Sequence, residues 1–148
     1  MLSLSSQLLV IAYTALAALF GGIIGIERRR ADKPMGIRTH SLVCASSAMI
    51  VAVGEVINQE THLGDPTRAL HAVITGIGFL GAGAIYGGSK RPSGGLTTAA
   101  TVFITAGIGV ATGLGAPLVG FAASVITLGI LRLVPGKRET AVLDSNED

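Results

Sequence analysis

The chain has 148 residues, of which 49% are hydrophobic and only 14% charged, with a mean hydropathy of +0.64. A soluble domain carries about 25% charged residues, so this balance excludes an ordinary water-soluble fold. Glycine occurs 21 times with no triplet period and only 5 prolines, which excludes collagen and disordered linker and points to close backbone packing. The net charge of +2 is too small, and the basic residues sit too close to the ends of apolar runs, for nucleic-acid binding. A single cysteine, Cys44, excludes a disulfide framework within one chain and a Cys-based zinc site.

About 20 apolar residues cross a bilayer as a helix, and five stretches qualify: Gln7 to Ile26, His40 to Asn58, Leu70 to Gly87, Leu96 to Gly113, and Ala116 to Val134. The last two are parted only by a Gly-Ala-Pro stretch around Pro117. One broken helix and a hairpin both fit that spacing. Two helices are preferred, because together the segments are too long for one crossing at about 1.5 Å rise per residue.

Lys and Arg near span ends stay on the cytoplasmic side. The first connector holds Arg28, Arg29, Arg30, Lys33 and Arg38, the third holds Lys90 and Arg91, and the end of the chain holds Arg132, Lys137 and Arg138. Arg68 stands alone in the second connector. An external N-terminus and internal C-terminus therefore put all but one basic residue inside. Ala15-Leu16-Ala17 looks like a signal-peptide cleavage site, but the positive charge follows the apolar core instead of preceding it. The first span is read as a retained, reverse-oriented helix. The expectation is an all-α polytopic membrane protein: a compact bundle of five transmembrane helices over residues 1–134, N-out and C-in. A polar tail over 135–148 is expected to be disordered.

Helix association in lipid relies on small residues that let backbones approach. Gly21 with Gly25, Gly83 with Gly87, and Gly109 with Gly113 form GxxxG pairs, and Ala111/Gly115 and Ala116/Gly120 extend the pattern. Packing positions are therefore expected at Gly21, Gly25, Gly76, Gly78, Gly81, Gly83 and Gly87. At least one small-residue face is expected to be intermolecular, with a homo-oligomer, a dimer in preference, as the partner. Gly76-Ile77-Gly78-Phe79-Leu80-Gly81 matches the dinucleotide fingerprint by letter but lies inside a span, not between a strand and a helix. Gly87-Gly88-Ser89-Lys90 lacks phosphate-loop spacing.

The runs Gly25-Ile26-Glu27-Arg28, Lys33-Pro34-Met35-Gly36-Ile37-Arg38-Thr39-His40, Asp65-Pro66-Thr67-Arg68, Gly76-Ile77-Gly78-Phe79-Leu80-Gly81-Ala82-Gly83 and Gly95-Leu96-Thr97-Thr98-Ala99-Ala100 resemble the membrane domain of the MgtC/SapB family. They stand in the family's order from Gly22 to about Gly113. The resemblance implies a bacterial inner-membrane protein of about five spans, linked to growth under magnesium limitation, acid stress and survival inside host cells, and acting as a modulator. The chain departs from the pattern in three places. Phe103 stands where Trp is common, Gly94 where a basic residue often precedes Gly-Leu-Thr-Thr, and Ala72 near the usual place of a polar amide. The further cytoplasmic domain of many members is not expected here.

Two layers carry the polar chemistry. At the cytoplasmic end Glu27, Arg38, Thr39, His40, Thr97 and Thr98 gather at helix ends, where free N–H groups favour an anion or carboxylate. One reading pairs Glu27 with Arg38 or Arg28 and uses the threonines as caps; the other makes Glu27 the anionic member of a cation- or partner-binding cluster. Arg28 to Arg30 are read as topology determinants and contacts for lipid headgroups. At the outer end Asp65-Pro66 suits a helix start, and Arg68 is expected to pair with Asp65, Glu60 or Glu55. Glu55, the acid closest to the hydrocarbon, and His71 and His62 are candidates for transport or proton response. Cys44 is read as a small apolar packer. No nucleophile, base and oxyanion site can be assembled, no cofactor is expected, and no metal ligands are assigned. The leading expectation is a non-enzymatic inner-membrane regulator of magnesium homeostasis or stress survival that acts on another membrane complex. The alternative is a cation or proton transporter joining Glu55 and Asp65 to Glu27.

Overall fold

A computed structural model describes residues 3–61, 67–86 and 92–134. They form five helices, α1 (Leu4–Arg30), α2 (Ile37–Thr61), α3 (Thr67–Tyr86), α4 (Pro92–Gly113) and α5 (Pro117–Leu133), with no strand among the described residues. Four of them are long and apolar enough to span a membrane, and α5, at 17 residues, is the short one. At about 1.5 Å per residue, α5 still reaches some 25 Å, near the lower limit for a crossing. The expected Asp65, His62 and Gly87, the connector holding Lys90 and Arg91, and the tail over 135–148 lie outside the described residues.

Helices α1, α2 and α4 extend beyond their apolar stretches, because the backbone keeps its own hydrogen bonds until water can replace them. Helix α1 starts at Ser3, whose hydroxyl accepts from the Ser6 N–H at 3.1 Å, and ends with Arg28, Arg29 and Arg30 in its last turn. The link to α2 is then only residues 31–36. Lys33 N–H folds back to the Arg28 carbonyl at 3.0 Å, and Asp32 and Met35 take positive φ. Between α4 and α5, Ala116 N–H bonds to the Ala111 carbonyl and Gly115 N–H to that of Thr112. With Gly115 at φ +80, this is a Schellman turn, and Pro117 opens the next helix where its missing N–H costs nothing. The hairpin reading of these two segments is the observed one.

The glycines give the register. Gly21 faces the His40 carbonyl and Cys44, and Gly25 faces Ile37, so α1 and α2 run antiparallel. Gly109 faces Cys44 and Ser47 while Gly113 faces Ala48, so α2 and α4 run parallel. Gly95 lies against Ala84 and Ile85, and Gly120 against Thr112. Helix α4 is the hub, touching all four others, and α3 leans on α4 and only slightly on α2. The core is filled by Ala17, Phe20, Ile24, Cys44, Ala48 and Ile108, with a second cluster of Val43, Val51, Val73, Ile77, Val102 and Ala106. Leu19, Leu42, Phe79 and Leu118 point outward, as lipid-facing side chains do.

Among the expected packing positions, Gly21 and Gly25 press on α2 backbone and Gly81 meets the Ala99 Cβ at 3.8 Å. A Cβ at Gly76, Gly78 or Gly83 would meet nothing within 4 Å. Those three therefore pack against none of the described residues.

Candidate functional site at the Glu27 end of the bundle

The alternating helices bring the C-termini of α1 and α3 and the N-termini of α2 and α4 to one end. In a helix each side chain leans toward the N-terminus. Glu27 on α1 thus leans into the bundle, while His40 on the antiparallel α2 leans back toward Glu27's level. Glu27 and Arg28 are both buried and form an ion pair, Arg28 Nε donating to Glu27 Oε2 at 2.5 Å. Of the two arginine partners weighed for Glu27, Arg28 is the one found.

His40 is wholly buried. Its Nδ1 lies 3.1 Å from the Gly36 carbonyl. A carbonyl only accepts, so Nδ1 carries the hydrogen and Nε2 is left as an acceptor. Nε2 is buried without a hydrogen-bond partner. Thr98 is buried close to the same end, whereas Thr97 and Arg38 are exposed and Thr39 is half-buried. Three of the six residues expected in this cluster, Glu27, His40 and Thr98, are therefore inside the bundle.

Below this end a line of hydroxyls continues along α4 and α5. Thr101, Thr105 and Thr112 on α4, with Ser124 and Thr127 on α5, are buried. Each donates to the carbonyl four residues earlier, at 2.7 to 2.8 Å. Their hydrogens are thus spent on their own helices, and what they offer inward is lone pairs. Ser47 on α2 is buried beside Gly109, and the Thr14 hydroxyl on α1 is buried with no partner. The sequence reading missed Arg28 as an interior residue and missed this seam. The spacing of Thr97, Thr101 and Thr105 by four, and of Thr98, Thr105 and Thr112 by seven, was the available signal.

The cluster expected at the other end is not assembled among the described residues. Glu55 is half-buried and accepts from Gln59 Nε2 at 2.9 Å. Arg68 and His71 are exposed, and Asp65 lies outside the described residues. No three His, Cys, Asp or Glu side chains gather into a metal-binding group among the described residues. Two cavities lie along α3 and α4. One of about 420 Å³ is walled by Gly78, Gly81, Ile85, Tyr86, Leu96 and Phe103 among others, and a smaller one of about 140 Å³ lies between Val73, Ile77 and Ala106.

A glycine-packed bundle of apolar helices with a buried ion pair near one end defines a multi-pass membrane protein. Residues 14–139 match the MgtC family, and the chain belongs to that family. It is 40% identical over 124 residues to the Escherichia coli K12 protein named "Putative magnesium transporter YhiD", covering 80% of this chain and 57% of that one. Protein SapB of Bacillus subtilis is 36% identical over 127 residues, covering 81% of this chain and 54% of SapB. Protein MgtC of Brucella abortus is 40% identical over 101 residues, covering 67% of this chain and 40% of that one. The chain thus spans about half the length of these relatives. No solved structure matches it.

Proposed function

We propose that this protein is a non-enzymatic component of the bacterial inner membrane that supports magnesium homeostasis or stress and virulence-associated survival by contacting another membrane protein. The Glu27 end faces the cytoplasm, where ten of the eleven basic residues then lie. The observation that carries this reading is how the interior polar groups are used. Glu27 is neutralised by Arg28, and the hydroxyls of α4 and α5 are turned onto their own backbones. A divalent cation needs several oxygen ligands with uncompensated charge, and an arginine on the buried carboxylate opposes that.

The partner is met on α3, the least covered of the four long spans. Gly76 and Gly83 stand there with no atom of the described residues within 4 Å of a would-be Cβ, which suits the close approach of another transmembrane helix. Gly76→Leu and Gly83→Leu should leave membrane abundance intact and abolish growth under magnesium limitation in a strain that depends on the protein. Parental growth of both variants would overturn the α3 contact. Crosslinking between copies through α3 would make the partner a second copy of the chain.

A second reading, cation transport, draws on the Escherichia coli relative's name and on two buried polar atoms unpartnered among the described residues, His40 Nε2 and Thr14 Oγ1. It is tested directly by flux.

A further inference from the structure

His40 Nε2 is a buried acceptor with nothing to accept. An uncompensated buried polar atom is destabilising, so its presence calls for a ligand. The surroundings decide which kind. The α2/α4 register that sets Gly109 against Cys44 and Gly113 against Ala48 puts Thr105, four residues before Gly109, level with His40. The hydroxyls of Thr101 and Thr105 have given their hydrogens to the Thr97 and Thr101 carbonyls. Those two hydroxyls on α4 therefore offer lone pairs and no hydrogen toward the interior. Such a site takes a donor or a positive charge.

The charged and titratable groups around it are few. On α1 they are Glu27 and Arg28, with Arg29 and Arg30 exposed to solvent. On α2 itself they are the exposed Arg38 and, one turn further in, the buried Cys44. The adjoining link holds Asp32 and Lys33, both exposed, and α4 contains no titratable side chain. Of α3's groups, Arg68 and His71 belong to the opposite end, and Tyr86 is exposed. Glu27 is thus the one buried anion at this end of the bundle among the described residues. A metal cation would need more ligands than one imidazole and a carboxylate already held by Arg28; a proton needs no more than these.

We infer that His40 Nε2 is a proton-binding site within the bundle, whose charged imidazolium is held by Glu27 in competition with Arg28. On protonation a new N–H bond forms at Nε2, no bond is broken in the protein, and the ring becomes a donor at both nitrogens. The inference stands independently of the α3 contact.

The test is nitrogen NMR of ring-labelled histidine in the full chain in lipid bilayers, with His62→Gln and His71→Gln to assign the His40 signals. At neutral pH the His40 ring should be neutral with the hydrogen on Nδ1, and acidification should convert it to the doubly protonated form. In Glu27→Gln the proton should bind about tenfold more weakly, the least expected for loss of a nearby opposite charge. A neutral ring protonated on Nε2, a ring that stays neutral down to pH 4 in the parent protein, or unchanged proton binding in Glu27→Gln would each overturn the inference. So would a shift of the Nε2 signal on adding magnesium at constant pH, which would make the ligand a metal. The parent protein alone decides the first two outcomes, so they stand even if the variant fails to fold.

Discussion

Gly25→Ala tests the packing of α1 on α2 most sharply. A Cβ at Gly25 would stand 2.5 Å from the Ile37 Cα, 2.9 Å from its nitrogen and 3.0 Å from the Gly36 carbonyl oxygen. All three are backbone, so no side chain can swing away, and the helices must part by nearly 1 Å to restore ordinary contact. A gap of that size forfeits a quarter to a half of each dispersion contact it opens, and overpacking of this kind costs about 1–3 kcal/mol. Alanine returns about 1 kcal/mol of helix propensity, leaving a net loss of up to about 2 kcal/mol. Gly83→Ala is the matched control, since its Cβ meets nothing and only the propensity gain remains. Unfolding of the purified protein in mixed micelles by increasing dodecyl sulfate, followed by far-UV circular dichroism, reads both. The packing argument fails if Gly25→Ala is as stable as Gly83→Ala.

Other consequences follow from the buried polar groups and the turn. Glu27→Leu strands Arg28 in the bundle and should cost about 3–5 kcal/mol, whereas Glu27→Gln keeps an acceptor for Arg28 and should cost clearly less; the same unfolding assay ranks them. Thr105→Val removes a hydroxyl bonded only to its own helix and keeps the shape, so a change under about 1 kcal/mol is expected. Gly115→Ala places a Cβ at φ +80 and should cost about 1–2 kcal/mol, with a lower thermal midpoint as the readout.

The fold was legible because a span announces itself by length: each stretch of about 20 apolar residues maps onto one helix, and the Pro117 break separates α4 from α5. The pairing of helices was less legible. In lipid both the buried and the outward face of a helix are apolar, so periodicity does not say which glycine faces a neighbour. Gly21, Gly25, Gly109 and Gly113 press on backbone while Gly76 and Gly83 face open space, yet all six look alike in sequence. Arg28 shows the same limit. As one of three consecutive arginines it reads as a surface anchor, and only the turn of α1 puts it inside beside Glu27 while Arg29 and Arg30 stay out. Glu27 and His40 were found as chemistry placed next to apolar runs, where a charge is expensive and therefore has a reason to be there.

The central claim is that the bundle works by contact and does not conduct. Purified protein in liposomes, with magnesium- and pH-sensitive dyes enclosed and Glu27→Gln and Asp65→Asn as controls, measures this directly. Correctly folded protein should give no flux above empty vesicles. Magnesium or proton flux abolished by either substitution would contradict the claim and establish a transporter with the altered residue on its path.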